Sequence, residues 1–392
     1  MGRIILFTGK GGVGKTSIAA AHALRSAGEG RRTLLVSADM AHNLGDLFQM
    51  EAGGEVREAA GNLWLLELDP YRIMRREFPH AAQAMADLLA GPPLTDRALP
   101  LPGVDTLFSL LMIGKLYQEG AYDRILVDCA PTGETLALLK FPELMAWYME
   151  KFFPVGKAVT RILAPAAHAK YRVRLPERKA MNEIERLHGQ LADLQELLRD
   201  GGICTVRLVC TPERMAVEET KRAFMRLSLF GYQTDGVYIN RLLPEMRDNP
   251  FLSHWRDLQQ RYVRELEEVF AEYPITRLPW YPQEVRGRAA AETMGAALPQ
   301  ENLFDVRVQR ETEVYTPVEG GYRLSLQLPG AEGGVQAACQ GLDLCIQAGG
   351  TLRRIPLPDC LRGSSVARAV WKDGMLQVDL RQEKGGADGC GF

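Results

Sequence analysis

Eight consecutive residues carry the most specific chemistry in the sequence: Gly9-Lys10-Gly11-Gly12-Val13-Gly14-Lys15-Thr16. They fit the phosphate-binding pattern G-x-x-x-x-G-K-[ST]. Glycines at this spacing let backbone N–H groups turn inward on an anion, while Lys15 reaches terminal phosphate oxygens and the Thr16 hydroxyl ligates Mg²⁺. Two carboxylates complete the set. Asp39 follows an apolar run and either orients an attacking water beside the metal or caps a helix. Asp128 ends the apolar run Tyr122-Asp123-Arg124-Ile125-Leu126-Val127, the Walker B arrangement in which an Asp at a strand tip holds Mg²⁺ through water. Such a set supports phosphoryl transfer from a nucleotide to water.

These residues need strands and helices in a fixed order, and the sequence supplies them. The apolar run Ile4 to Phe7 precedes the glycine loop, and Ser17-Ile18-Ala19-Ala20 opens a helix after it. Thr33 to Ser37 reads as a second buried strand, Leu63 to Leu68 as a third and Ile203 to Cys210 as another. Ligands of open α/β sheets bind beyond the C-terminal ends of such strands, which is where Asp39 and Asp128 fall. The expected fold is α/β: a P-loop NTPase with a mostly parallel sheet flanked by helices over residues 1–298. Helical insertions are expected at about 71–120 and 141–200, beginning with a helix from Tyr71 to Ala90 and another from Val104 to Tyr117.

Between Phe141 and Ala169, Leu144, Trp147, Tyr148 and Phe152 share one helical face, which either joins the core or lines an apolar groove. A stripe from Ala180 to Leu198 spaced by fours and threes predicts a long helix packed on its own sheet. Asn240 ends the strand Gly236 to Arg241, and its amide either pairs with a purine edge or caps a loop. From Phe304 the pattern changes to short alternating strands: Leu324/Leu326/Leu328, Leu342/Leu344/Ile346 and Leu376/Val378/Leu380. They predict a small all-β sandwich over 304–382, followed by a flexible tail over 383–392.

Composition sets broad limits. The chain has 392 residues, 46% apolar and 24% charged, as in ordinary globular proteins. A formal net charge of −2 gives no general attraction to nucleic acid. The first strand begins too early for a removable leader and no apolar run reaches membrane-spanning length, so a cytoplasmic protein is expected. Seven cysteines without a C-x-x-C pair point away from a disulfide framework, and no zinc is expected.

Several phrases resemble one family. Asp39-Met40-Ala41-His42-Asn43-Leu44-Gly45-Asp46 is similar to the switch I motif D-P-A-H-N-L-S-D of the arsenite-pump ATPases and the tail-anchored-protein targeting ATPases. Asp128-Cys129-Ala130-Pro131-Thr132-Gly133 resembles the start of their switch II, although Glu134 stands where the family has histidine. Lys10 matches the additional lysine of their deviant Walker A loops. The resemblance implies an ATPase using ATP and Mg²⁺, with Asp39, Lys10 and Lys15 catalytic and Lys10 reaching the nucleotide of a homodimer partner. It places Asp39, His42 and Asn43 in switch I and Asp128, Pro131, Thr132 and Gly133 in switch II. It assigns the nucleotide to Gly9 through Ser17, Asn240, Pro279, Glu284 and Val285, the last three from the phrase Leu278 to Gly287.

The same resemblance implies that ATP opens and closes the dimer to chaperone or target hydrophobic client proteins, with a peripheral membrane receptor and a client groove at Leu144, Trp147, Tyr148 and Phe152. The alternative is the soluble motor of an anion or arsenite efflux system. Finally, Leu328-Pro329-Gly330, Arg353 to Pro358 and Trp371 to Leu376 look like the α-crystallin sandwich of small heat-shock proteins.

Overall fold

The computed structural model describes residues 2–39, 43–51, 53–80, 104–133, 178–244, 249–309, 312–331 and 334–382. The expected helical face at Leu144, Trp147, Tyr148 and Phe152 lies outside these residues, as do His42 and the 383–392 tail.

Within them, eight strands form one sheet in the order β3-β4-β2-β5-β1-β6-β7-β8. Its centre is built by β1 (Arg3–Thr8), β2 (Thr33–Ser37), β5 (Arg124–Asp128) and β6 (Cys204–Cys210), with β4 (Leu63–Glu67) on one side. β7 (Thr234–Leu242) and β8 (Ile275–Pro279) lie on the other. All these strands are parallel, and only the edge strand β3 (Arg57–Ala60) runs antiparallel, against β4. Every residue of β1, β2 and β6 is buried, because helices cover both faces of a central parallel strand and leave no solvent side for polar alternation.

The helices show the local reasons for their limits. α1 (Lys15–Gly28) buries a run of alanines, and its Arg25 donates to the carbonyl of Gly295 in α8 (Arg288–Ala296). α2 is the short segment Asn43–Phe48. α3 (Pro70–Glu77) starts where the Asp69 carboxylate accepts from the Arg72 N–H and Pro70 supplies a preset φ. It stops at Phe78, so the uninterrupted helix expected from Tyr71 to Ala90 is broken there. α4 (Val104–Gln118) packs on α3 and on α5 (Arg178–Arg199). The α5 stripe is spent inside the chain: Leu187, Leu191, Leu194 and Leu198 are all buried. α6 (Arg214–Leu229) lies against β6 and β7, and α7 (Pro250–Val269), capped by Asn249, packs on α6.

At the N-terminal end of the sheet, away from the glycine loop, sits a buried charge cluster. Asp235 accepts from Arg3 at 2.8 Å and from Arg207 at 3.1 Å. Both arginines also donate to the chain leaving the sheet, Arg3 to the Phe304 carbonyl and Arg207 to that of Leu303. Arg207 further donates to the Tyr238 hydroxyl, which is paired with His22 Nε2, and His22 Nδ1 pairs with the Ile18 carbonyl. A carbonyl only accepts, so Nδ1 carries the proton and Nε2 accepts from Tyr238. Burial lowers the His22 pKa well below its ordinary value and keeps the ring neutral.

The C-terminal part is all antiparallel. A four-stranded sheet, β14-β15-β10-β9, contains β9 (Glu313–Val318), β10 (Gly321–Gln327), β14 (Ser364–Lys372) and β15 (Met375–Gln382). A three-stranded sheet, β11-β12-β13, contains β11 (Gln336–Gln340), β12 (Asp343–Ala348) and β13 (Thr351–Pro356). The expected leucine alternation is buried throughout with one exception: Leu342 sits in the turn before β12 and is 54% exposed.

Period two in β13 buries Thr351, Arg353 and Ile355 together, and an arginine needs a partner there. Arg353 finds two, donating to the Leu229 carbonyl at the end of α6 at 2.5 Å and to the Glu313 carboxylate. A cation on the last carbonyls of a helix is favoured by the helix dipole. Among the free thiols, Cys129, Cys204, Cys210 and Cys345 are buried and Cys339 is half-buried; Cys360 is disulfide-bonded.

Removing the shared anion should expose how much the charge cluster matters. Asp235→Ala leaves two buried guanidinium groups without their carboxylate, and the expected loss is about 3–5 kcal/mol of unfolding free energy. Urea unfolding of full-length protein checks this; a loss below about 1 kcal/mol would show that the backbone carbonyls alone satisfy both arginines.

Candidate functional site

The glycine loop leaves β1 and enters α1 with no room for side chains at two points. A Cβ on Gly9 would stand 2.1 Å from the Val209 carbonyl oxygen of β6, and one on Gly14 would stand 2.4 Å from Asn240 Nδ2 of β7. Gly14 caps α1 with φ at 96°, and Gly12 has φ at 81°, a region where a side chain is strained. Lys15 begins α1, so the first-turn N–H groups of the helix have no intrahelical acceptor and form an anion site at its positive end.

That end opens into a cleft of about 980 Å³. Gly11, Gly12, Gly14, Lys15, Thr16 and Ser17 border it on the loop side. Asp39 and Pro131 border it beyond β2 and β5, and Asn240 faces them from β7. Pro279, Glu284 and Val285 close it from the far side, so residues separated by more than two hundred positions share one space. Gly9 and Val13 stand behind the loop, where the Val13 carbonyl accepts from Asn240.

The acidic side is compact. Ser37 of β2 is the register partner of Asp128 in β5, which brings the tips of the two strands together, and the Ala38 N–H donates to the Asp128 carbonyl at 2.9 Å. The Thr16 hydroxyl donates to Asp128 Oδ2 at 2.6 Å, while Asp128 Oδ1 is buried without a hydrogen-bond partner among the described residues. Burial pushes the Asp128 carboxyl up to about 6, with Asp39 adding to the rise and the Thr16 hydrogen bond and the Lys15 charge opposing it. An orphaned buried carboxylate oxygen next to a hydroxyl is the donor set a hard divalent cation takes, so Thr16, Asp128 and Asp39 fit Mg²⁺. Lys15 donates to the Lys10 carbonyl at 3.3 Å across the loop.

The flanking loops are tied to the sheet. Thr132 is buried; its N–H donates to the Gly9 carbonyl at 3.3 Å and its hydroxyl donates to Glu219 of α6. Asn43 begins α2, whose Gly45 N–H donates to Glu67 at 3.0 Å. The Gly287 N–H reaches back to the Leu47 carbonyl at 2.7 Å, joining the end of the Glu284-Val285-Arg286 phrase to α2. Gly133 follows Thr132, with no lining role.

Asn240 donates to Val13 at 2.9 Å and accepts from the Arg241 N–H at 2.9 Å, which leaves one amide N–H and one lone pair uncommitted. Sequence reasoning passed over Glu67, Glu219 and Arg241. Glu67 had a signal, an acidic residue closing an apolar strand, but its partner Gly45 and the Glu219 partner Thr132 are set by tertiary contact.

The family model for anion-transporting ATPases matches residues 2–300, and the model for an HSP20-like domain found in the same ATPases matches 319–380. A protein of Chlorobaculum tepidum, provisionally named an arsenical pump-driving ATPase, is 35% identical over 98% of this chain and 97% of its own length. A relative from Aquifex aeolicus with the same provisional naming is 31% identical over 95% of this chain and 99% of its own. The ATPase get3 of Pyrenophora tritici-repentis is 31% identical over 76% of this chain and 91% of its own.

The Asp128 environment makes a signed prediction. A carboxyl raised from 3.8 to about 6 is ionised at a cost in the folded protein above that pH. The cost fades as pH falls from about 6 to about 4, because the folded state takes up the proton first. Asp128→Asn is neutral throughout, so it should stabilise the nucleotide-free protein by about 2–3 kcal/mol near pH 7.5, with the gain vanishing near pH 4. Urea unfolding across that range checks the sign, and the same variant should lose Mg²⁺-supported ATP turnover.

Proposed function

Since the chain belongs to the anion-transporting ATPase family and is an ATPase carrying an HSP20-like domain, we propose that it hydrolyses ATP as a Mg²⁺-dependent homodimeric switch serving hydrophobic client proteins. The observation that carries the catalytic part is the convergence of the α1 N-terminus, Lys15, Thr16, Asp128 and Asp39 on one cleft. Mg²⁺ held at Thr16 and Asp128 would neutralise phosphate charge. Lys15 trades its loop carbonyl for phosphate oxygens, and the α1 N–H groups cradle the same oxygens. Asp39, two residues past the end of β2, orients the attacking water and accepts its proton. Lys10 makes no ion pair with the described residues; in a dimer it reaches the partner's nucleotide, adding positive charge where phosphate charge develops.

The same loops explain how nucleotide state would be felt. Asp39 and Pro131 border the cleft, and their loops continue into α2 and towards residues 134–177. Loss of the terminal phosphate releases contacts on both loops, as in other nucleotide switches. Client binding through Leu144, Trp147, Tyr148 and Phe152 is part of this proposal and lies outside the described residues. No helix among the described residues is long and apolar enough to cross a membrane, and the proposed setting is cytoplasmic, next to a peripheral membrane receptor.

The second reading is the motor of an anion or arsenite efflux system. It is favoured by the Chlorobaculum tepidum and Aquifex aeolicus relatives, which match over nearly their full length and whose names refer to arsenical pumping. ATP turnover measured with arsenite and with a soluble apolar helical peptide separates the two: stimulation by arsenite alone supports the motor, and stimulation or capture by the peptide alone supports the client switch.

Two variants test the chemistry. Asp39→Asn should keep Mg·ATP affinity within about twofold while turnover drops by about a hundredfold or more, since the phosphate grip is intact and the water loses its carboxylate. Unchanged turnover would reassign Asp39 to helix capping. Mixing inactive Lys10→Ala and Asp39→Asn chains under subunit exchange should restore partial hydrolysis, because one composite site keeps both groups; hydrolysis by an isolated monomer at the full rate would remove Lys10 from a trans role.

A further inference from the structure

Arg241 is one of five non-glycine residues with positive φ among the described residues, at 61°, and it borders the nucleotide cleft. A residue with a Cβ adopts this conformation only where its surroundings force it, and such strain gathers at functional sites. Here the forcing groups are visible. The Arg241 N–H donates to Asn240 Oδ1 at 2.9 Å, and its carbonyl accepts from Gln259 Nε2 of α7 at 3.1 Å. Gln259 Oε1 also accepts from the Leu243 N–H at 2.9 Å, so one side chain braces both flanks of the turn. The next residue, Leu242, accepts from the Trp280 N–H at 2.8 Å, tying this turn to the end of β8. The braces take up the backbone and leave the guanidinium exposed, with no hydrogen bond or ion pair to a described residue.

The sheet order says which end of a nucleotide lies there. β1 carries the glycine loop, and β5 and β2, with Asp128 and Asp39, lie on one side of it. The terminal phosphate and its water belong on that side. β7 and β8 lie on the opposite side, two and three strands from β1, about 10 and 14 Å away at ordinary strand spacing. A triphosphate seated on the loop with its terminal phosphate toward β5 must send its ribose and base toward β7 and β8. At that end the cleft is bordered by Arg241, by Trp280, which is 56% exposed, and by Tyr281, whose hydroxyl is buried without a partner among the described residues. The other arginine of the lining, Arg286, precedes the Gly287 contact to Leu47 and so belongs to the α2 side.

We propose that Arg241 is the residue that grips the nucleoside end of the triphosphate, its planar guanidinium set against the base by a backbone held in the left-handed conformation. A guanidinium stacks on a ring face and donates to ring acceptors, whereas the neighbouring Asn240 has already committed half of its amide capacity to the glycine loop and to the turn itself. This rests on the nucleotide reading above, and it adds a determinant of base affinity separate from the phosphate grip.

The test is calorimetric binding of Mg·ATP and of Mg·tripolyphosphate, which lacks the nucleoside, to full-length wild type, Arg241→Ala and Arg241→Gly. Alanine removes the guanidinium and keeps the strain; glycine removes both, and a melting temperature equal to or above wild type shows that it folds. The expected result is a loss of about tenfold in ATP affinity in both variants, with tripolyphosphate affinity unchanged within about twofold. Wild-type ATP affinity in either folded variant would overturn the proposal, and so would parallel loss of both ligands, which would move Arg241 to the phosphates. Failure of wild type to bind either ligand is a different result: it would overturn the nucleotide reading itself and this inference with it.

Discussion

The close approach of the glycine loop to the tips of β6 and β7 is the constraint that shapes the whole site. Gly9 lies against the Val209 carbonyl and Gly14 against the Asn240 amide, each nearer than a Cβ would permit. The loop is therefore wedged between two strands and is not a free turn, and its shape is set by where those strands end. The consequences run outward from Asn240. Its amide holds the Val13 carbonyl and the Arg241 N–H, Gln259 of α7 holds the other side of the same turn, and Leu242 binds the backbone of Trp280. Each of these contacts other than the Asn240–Arg241 bond joins segments distant in sequence, so the phosphate end and the β7–β8 end of the cleft are built as one piece.

The two ends of the sheet divide the work. At the C-terminal ends of the strands the polar groups are left partly unsatisfied: Asp128 keeps a buried oxygen without a partner among the described residues and a carboxyl raised by burial, which is tolerable only where a ligand or cation is to arrive. At the N-terminal ends the charges are paired, although Arg3 Nε and the Thr234 hydroxyl are buried without a partner among the described residues. Asp235 serves two arginines, and both arginines also hold the carbonyls of Leu303 and Phe304 as the chain leaves the sheet. The Arg124 guanidinium lies 3.9 Å from the Phe304 ring centroid, adding a cation–π contact at the same exit. α6 spans the space between the site and the β-sandwich, touching Thr132 through Glu219 near its start and Arg353 through the Leu229 carbonyl at its end. About ten residues of helix separate those points, about 15 Å of nearly rigid rod.

Much of the fold was legible in the chain because its signals are local. The phosphate loop depends on glycine and lysine spacing within eight residues, the central strands are apolar runs because both faces are covered, and the leucine alternation after residue 320 marks strands of a sandwich. Asp39 and Asp128 follow from their position after such runs. Local signals also mislead. Leu342 continues an alternating pattern into a turn, and the helical pattern that begins at Tyr71 does not show that the helix stops at Phe78. The edge strand β3, Arg-Glu-Ala-Ala, has neither period nor hydrophobicity and gave no sign of itself.

Residue type and spacing were thus enough for the chemistry of the loop, the class of the sheet and the presence of a second, all-β part, since each is written over a few turns or strands. Which polar groups face each other came only with the folded chain. Asn240 turns its amide on the loop because β7 ends beside the loop that follows β1, Arg241 is forced to positive φ because Gln259 arrives from α7, and Arg353 is tolerable in a buried strand position because the Leu229 carbonyl of α6 meets it. Hydrogen bonds and ion pairs act over about 3 Å and demand direction, so they depend on how distant segments are brought together, whereas apolar burial is non-directional and survives in the pattern of the chain.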